Sequence, residues 1–226
     1  MRLSRLLKPF RQSTELTVGT IMLIGLAFLF FAGPALAPYP YARMGVAKPF
    51  APAFEAGHVF GTDELGRDVF SRVIHGTRFS LQVAFSAALL ATLAGGLLGM
   101  VAGFFRGWID LTVMRAADLL LSFPSLLLAI VVVAIMGPGL TNTAIVIGIV
   151  YAPRVARIAR GAVMSVKEND YVTAATALGV RRMRVLLRHV LPNVLPTVAI
   201  YMSLLLAYGL LFEASLSFLG LGVQPP

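Results

Sequence analysis

The sequence contains no cysteine, which excludes disulfide bonds, thiolate metal sites and cysteine nucleophiles. Charged residues are also scarce. They make up 13% of the 226 residues, against roughly 25% in a typical soluble domain. Hydrophobic residues make up 58%, and the mean hydropathy is +0.85. This is too apolar for a disordered chain, and a soluble fold of this size would not bury so much apolar surface. The composition therefore indicates an integral membrane protein.

Signatures of enzymes and of metal sites are missing as well. The three histidines, His58, His75 and His189, are scattered, and none belongs to a His-Glu-x-x-His pair, so a zinc site has no support. No Gly-x-Ser-x-Gly turn marks a nucleophile, and no Gly-xxxx-Gly-Lys motif marks a nucleotide phosphate site. We expect this chain to bind no metal and no cofactor.

Long apolar runs predict an all-α, polytopic membrane protein, because a helix needs about 20 apolar residues to cross the hydrocarbon core. We predict five spans, over residues 16–36, 79–105, 111–137, from 143 onwards and 194–219. The first is read as an uncleaved anchor, although Ala35-Leu36-Ala37 keeps a signal peptide as an alternative. Because the Pro225-Pro226 end follows the fifth span directly, we expect a sixth helix beyond it.

Three details of these spans carry further expectations. Small residues recur every four positions in the second span and predict close helix packing; they are Ala91, Gly95, Gly99 and Gly103. Pro124 predicts a kink in the third span, where Arg115 and Asp118 are spaced to pair. In the fourth helix, three arginines lie along one side and must face water, headgroups or a protein; they are Arg154, Arg157 and Arg160.

The distribution of basic residues predicts the orientation. With the N-terminus inside, the inner segments hold 14 Lys and Arg and the outer segments hold five, which agrees with the positive-inside rule. The inner set includes Arg2, Arg5, Lys8 and Arg11 before the first span. The net charge of +9 thus reflects topology, and we expect no nucleic-acid partner. We divide the chain into residues 1–78, comprising tail, anchor and outer loop, and the transmembrane core 79–226.

The inner loop at residues 167–193 is the most informative stretch. Asn169 or Asp170 suits an N-cap and Gly179 suits a C′ position, so a short helix rich in alanine is predicted between them. A second, amphipathic helix is predicted over residues 180–191, ended by Pro192. The small side chains would let the first helix enter a groove of another protein.

This loop resembles the EAA loop of ABC importer permeases. The family pattern is Glu-Ala-Ala, three residues, Gly and then Leu-Pro. Here Ala174, Ala175, Gly179 and the pair Leu191-Pro192 match its spacing, whereas Thr173 replaces the Glu. Two further stretches, 61–72 and 213–222, resemble the C-type subunit of dipeptide, oligopeptide and nickel permeases. The similarity covers essentially the whole chain.

The resemblance implies a type I ABC importer transmembrane fold in a bacterial cytoplasmic (inner) membrane. It also implies a second permease subunit, two ATPase subunits that use ATP and Mg, and a periplasmic or lipid-anchored solute-binding protein. The residues assigned to ATPase coupling are Tyr171, Thr173, Ala174, Ala175, Leu178, Gly179, Leu191 and Pro192. The transported solute would be a peptide or a nickel chelate. A stand-alone carrier or channel is the alternative, and a membrane enzyme is a further one.

Two segments keep open interpretations. Glu213 lies within a span, where an acid is costly; it either lines the transport pathway, or only hydrogen-bonds neighbouring helices, or lies near the outer surface. The segment 61–78 either contacts the binding protein or forms an amphipathic helix on the membrane.

Overall fold

The computed structural model describes residues 13–222, and this part of the chain is helical with no β-strand. Arg2, Arg5, Lys8 and Arg11 lie outside the described residues, as does the Pro225-Pro226 end. The chain divides into two compact units, one ending at Leu81 and one beginning at Gln82. The predicted all-α class is confirmed.

Helix α1 spans Thr14–Leu36, in agreement with the first predicted span. It begins at Ser13, whose hydroxyl accepts a hydrogen bond from the Leu16 N–H at 3.2 Å. Such a cap satisfies one of the amide groups that the first turn leaves without a helical partner. The loop after α1 contains a 3₁₀ turn over Glu55–Gly57.

Two carboxylates hold this loop together. Asp63 accepts hydrogen bonds from the backbone N–H groups of Leu65 and Arg67 and from the guanidinium groups of Arg67 and Arg72. Burial alone would raise the pKa of Asp63, but these bonds outweigh burial and lower the pKa to about 2. The charged form of Asp63 therefore stabilises the loop.

The second carboxylate, Asp68, starts helix α2. It accepts hydrogen bonds from the Ser71 N–H at 2.8 Å and the Ser71 hydroxyl at 2.7 Å, and it lies 2.8 Å from His58 Nδ1. Burial would raise the pKa of Asp68, but the bonds from Ser71 and His58 hold the pKa below its ordinary value. The carboxylate at this position caps the helix.

Helix α2 spans Val69–Phe105, so it begins ten residues before the predicted span at 79. Apolar content identified only the later part, because Arg72 and Arg78 interrupt the early turns. Within these turns Ile74 is buried and Val73 is exposed. The segment 69–78 is thus the first part of α2 and not a separate amphipathic helix.

The third predicted span is broken. Helices α3, Gly107–Leu121, and α4, Ser125–Met136, meet at an angle of 91°. Pro124 between them has an extended backbone with ψ 122°, and the residue before a proline is disfavoured in helical conformation. The predicted kink at Pro124 is therefore a complete interruption of the helix.

Helix α5 spans Leu140–Lys167 and is followed by α6, Asp170–Ala177. Helix α7, Arg182–Val185, continues through a π-helical turn, Leu186–Val190, into α8, Leu191–Phe218. Pro192 was expected to end a helix, and this prediction is wrong. Proline lacks the N–H that would bond to a carbonyl one turn earlier, and the π turn directly before it relieves that constraint by changing the hydrogen-bond spacing.

Three helical stretches are long and apolar enough to cross a membrane among the described residues, namely α1, α2 and residues 182–218. A fourth is added if α3 and α4 form one broken span. The sequence predicts five. The difference is α5, whose arginines lower its apolar character despite its 28 residues, so length and composition alone do not mark it as a crossing.

Helix α5 is the centre of the second unit. It packs against α8, α3 and α4, and its residues Ile147, Val150 and Val155 belong to the main hydrophobic cluster. The small-residue stripe of α2 lies along α5, where a Cβ added at Gly95 or Gly99 would overlap the backbone of α5. This close approach fixes α5, and with it the arginines of α5, against α2.

Candidate functional site

Helix α6 is defined by local signals at both ends. Asn169 occupies the N-cap position, but its side chain donates to the Val166 carbonyl at 3.1 Å and does not cap the first turn. At the other end Gly179 has φ +77°. The N–H of Gly179 donates to the Thr176 carbonyl, and that of Val180 donates to the Ala175 carbonyl. This pair of bonds is a Schellman motif, which needs a left-handed residue such as glycine.

Most of α6 is exposed in this chain. Of the predicted coupling residues at 171–179, Tyr171, Thr173, Ala174, Leu178 and Gly179 are exposed, whereas Ala175 is partly buried. Leu178 is 84% exposed, although a leucine gains about 2 kcal/mol from burial. The described part of this chain leaves this apolar side chain uncovered.

The opposite side of α6 is fixed to the bundle. Val172 is 3% exposed and packs in a cluster with Phe104 of α2, Val163 of α5 and Val185 of α7. Tyr171 also contacts the ring of His189. A displacement of α6 would therefore be transmitted to three helices of the bundle through one buried side chain.

The remaining coupling residues lie away from α6 in the chain. Leu191 is partly buried and Pro192 is exposed, and both belong to the first turn of α8. They follow the π turn at residues 186–190, in a place where helices bend most readily. The structure thus places these two residues in a continuous helix rather than at the end of the second helix of the loop.

The three arginines of α5 form a ladder to α3 and α4. Arg160 binds both oxygens of Asp110, at 2.5 and 2.6 Å. Arg157 binds Asp118 at 2.8 Å, so the acid predicted to pair with Arg115 on its own helix pairs across helices instead. Helix geometry allows Asp118 to pair with Arg115 on the same helix. The packing of α3 on α5 instead brings Asp118 to Arg157.

The third arginine of α5, Arg154, contacts a hydroxyl group and an aromatic ring. Arg154 donates to the Ser125 hydroxyl at 2.9 Å and lies 5.1 Å from the ring of Tyr151. Tyr151 in turn packs against Tyr208 and Phe212 of α8. Sequence spacing indicated the arginine row but not this aromatic cluster, whose members come from different helices.

Glu213 is 5% exposed and accepts a hydrogen bond from the Ser217 hydroxyl at 2.7 Å. A buried carboxylate in a span needs such a partner. Gly209 lies one helical turn away from Glu213. A Cβ atom added at Gly209 would lie 3.3 Å from Ala84 Cα, so α8 approaches α2 closely here. Among residues 13–222, no group of three or more His, Asp or Glu side chains is arranged to hold a metal ion.

These features define a class: a polytopic helical membrane protein with one short, largely exposed helix. Residues 95–226 match the family described as binding-protein-dependent transport system inner membrane component. Relatives support the same assignment over nearly the whole chain. The dipeptide transport system permease protein DppC of Alkalihalophilus pseudofirmus is 39% identical over 97% of this chain and 72% of the relative.

Two other relatives carry similar names. The glutathione transport system permease protein GsiD of Pectobacterium atrosepticum is 37% identical over 96% of this chain and 71% of the relative. The di/tripeptide transport system permease protein DppC of Pseudomonas aeruginosa is 40% identical over 92% of this chain and 70% of the relative. The chain belongs to the binding-protein-dependent permease family, as a C-type permease of ABC importers. It is a multi-pass membrane protein and a non-catalytic transport subunit.

Proposed function

We propose that this chain is one of two permease subunits of an importer that moves short peptides across the bacterial inner membrane. A solute-binding protein delivers the peptide from outside, and two ATPase subunits supply the energy. Those subunits use ATP and Mg, whereas this chain binds neither. Membrane lipid surrounds the two permeases, and nucleic acid has no part in the process.

The observation that carries the proposal is the two-sided character of α6. Its outer face exposes Tyr171, Ala174 and Leu178, while Val172 is buried in the cluster shared by α2, α5 and α7. A partner that moves the exposed face moves the buried anchor with it. Rigid-body motion of this kind is a common way to switch a helical bundle between two openings.

The proposed orientation places the N-terminus and α6 in the cytoplasm, where an ATPase is located. Its support is the excess of basic residues in the segments on that side. The proposed substrate class rests on the printed names of the relatives, which concern dipeptides, di/tripeptides and glutathione. We therefore favour peptides over a nickel chelate.

Glu213 is proposed as a pathway residue that attracts the amino group of the peptide. Its burial within a span beside Ser217 supports this role, because acidic residues inside a membrane are usually functional. To test this role, the uptake of peptides of different charge is measured in the Glu213→Gln variant. Selectivity equal to that of the unchanged protein would leave Glu213 with a structural role only.

The central experiment changes Gly179 in the reconstituted importer. Both Asp and Asn tolerate the left-handed conformation better than other residues, so Gly179→Asp and Gly179→Asn differ mainly in charge. A negative charge at the C-terminal end of α6 opposes the helix dipole and disrupts an apolar contact. We expect Gly179→Asp to reduce peptide uptake per ATP hydrolysed by at least about tenfold, and Gly179→Asn to retain most of it.

Co-purification distinguishes this proposal from a stand-alone carrier. The permease should be isolated with ATPase subunits, and Gly179→Asp should weaken that association while the chain remains in the membrane. Uptake by the purified chain alone, with no companion subunit, would refute the proposal.

A further inference from the structure

A cavity of about 340 Å³ lies beside α6. Its walls come from the ends of α2 and α5, from α6 and from α7. The polar side chains in these walls are Lys167, Thr173, Thr176 and Arg182, and the apolar ones include Phe104 and Phe105. The cavity therefore joins the coupling helix to other parts of the bundle.

The cavity is strongly basic. Lys167 Nζ donates to the Phe104 carbonyl at 2.7 Å and lies 5.0 Å from the Phe104 ring. Burial, followed by the charges of Arg106 and Arg182, lowers the pKa of Lys167. Lys167 is thus a partly buried cation near two exposed ones, and an anion bound between Lys167 and Arg182 would relieve their repulsion.

None of the described side chains that line the cavity is acidic. The nearest acids along the chain, Glu168 and Asp170, are exposed and do not line it. This sets the cavity apart from the arginine ladder of α5, where Arg157 and Arg160 each have a carboxylate partner. Lys167 and Arg182 therefore face no carboxylate among the described side chains that line the cavity.

We propose that this cavity binds a phosphate group, that of an anionic phospholipid headgroup or of free phosphate. Lysine provides a point charge and arginine a fork that matches phosphate oxygens. The apolar walls at Phe104, Phe105 and Val185 suit the glycerol and first methylene groups of a lipid. A bound phosphate would connect Lys167 at the end of α5 with Arg182 on α7.

The consequence for transport rests on the function proposed above. A phosphate that bridges α5 and α7 beside α6 would stiffen the connection between the coupling helix and the bundle. The lipid composition of the inner leaflet would then tune how much uptake each ATP hydrolysed produces. Binding itself does not depend on that function and is measured separately.

The test uses the purified full chain in neutral detergent, with dioleoylphosphatidylglycerol, dioleoylphosphatidylcholine or inorganic phosphate added. Native mass spectrometry counts the lipid bound, and thermal unfolding measures stabilisation. We expect phosphatidylglycerol to bind and phosphatidylcholine not to bind. Stabilisation by millimolar inorganic phosphate alone would support the site and identify free phosphate as its ligand.

The variants locate the site. Lys167→Gln combined with Arg182→Gln should weaken binding by about tenfold or more, since bonds to charged groups are among the strongest. Lys167→Arg should retain binding and controls for misfolding. Arg188→Gln, an exposed residue that does not line the cavity, is the matched control.

Two results would overturn the inference: equal binding by the double variant and by Arg188→Gln, or no binding of either anion by the unchanged protein. Uptake measured in phosphatidylcholine vesicles separates the two proposals. If neither anion binds in the detergent assay and transport nevertheless persists in these vesicles, the phosphate site is refuted and the transport function stays intact.

Discussion

Gly99 lies where the backbones of α2 and α5 touch. A Cβ at this position would overlap the carbonyl of Ala156, and a backbone atom yields only if the helices separate. We expect Gly99→Ala to cost about 1–3 kcal/mol, as overpacked sites do. Thermal unfolding of the purified protein measures the effect.

Gly96, three residues away on the same helix, is the control. A Cβ there would meet only Val198 Cγ1 at 3.9 Å, an ordinary contact. Alanine also favours a helix over glycine by about 0.5–1 kcal/mol. Gly96→Ala should therefore leave stability unchanged or raise it. Equal losses in both variants would show that the stripe contributes nothing specific.

Asp63 should make the loop between α1 and α2 sensitive to acid. Its pKa is lowered from 3.8 to about 2 in the folded chain, so its contribution is complete above about pH 4. As the pH falls from there towards 2, the unfolded chain takes up the proton first, and the contribution is lost. We expect the stability difference between the unchanged protein and Asp63→Asn to shrink over this range.

Thermal unfolding of both proteins between pH 5 and pH 2.5 measures that difference. Asp68 also has a lowered pKa, but both proteins contain it, so its effect cancels. A difference that stays constant with pH would show that the charge of Asp63 is unimportant, whatever its neighbours.

At the scale of elements, the two ion pairs between α5 and α3 should differ in strength. The side chains of Arg160 and Asp110 are 30% and 16% exposed, and those of Arg157 and Asp118 are 57% and 52% exposed. The first pair is also bidentate. We expect Arg160→Gln to cost about 2 kcal/mol and Arg157→Gln less than about 1 kcal/mol.

Chemical unfolding of the two variants in detergent compares these costs, and a double-mutant cycle with Asp110→Asn isolates the first pair. If Arg157→Gln costs as much as Arg160→Gln, then exposure does not govern the strength of the ladder. The attachment of α3 to α5 would then depend on packing rather than on charge.

Elements with local signals were predictable, and elements set by packing were not. Helix α6 was predicted over 170–178 and is found over Asp170–Ala177. Gly179 defines its C-terminal end within the sequence itself, whereas the side-chain cap expected from Asn169 does not form. The continuity of α7 and α8 through Pro192 was missed, since a π turn depends on hydrogen-bond spacing that a residue pattern does not record. The 91° break at Pro124 was expected only as a kink.

At the scale of the whole molecule, the short helix α6 and the row of arginines were both predictable from the sequence, but their connections were not. The pairing of Asp118 with Arg157 spans 39 positions, and the anchoring of Val172 depends on three other helices. The family resemblance indicated which loop matters. Only the packing around α5 explains how that loop is joined to the rest of the bundle.

The absence of cysteine makes the proposed topology directly testable, because a single introduced cysteine is the only thiol in the chain. Phe54 in the loop after α1 is 81% exposed, and Met183 on α7 is 57% exposed. The basic residues predict the first outside and the second inside the cell. A membrane-impermeant maleimide applied to intact spheroplasts should label Phe54→Cys, and should label Met183→Cys only after the membrane is permeabilised. Labelling of Met183→Cys in intact spheroplasts would invert the topology, and α6 would then lie on the side where no ATPase can reach it.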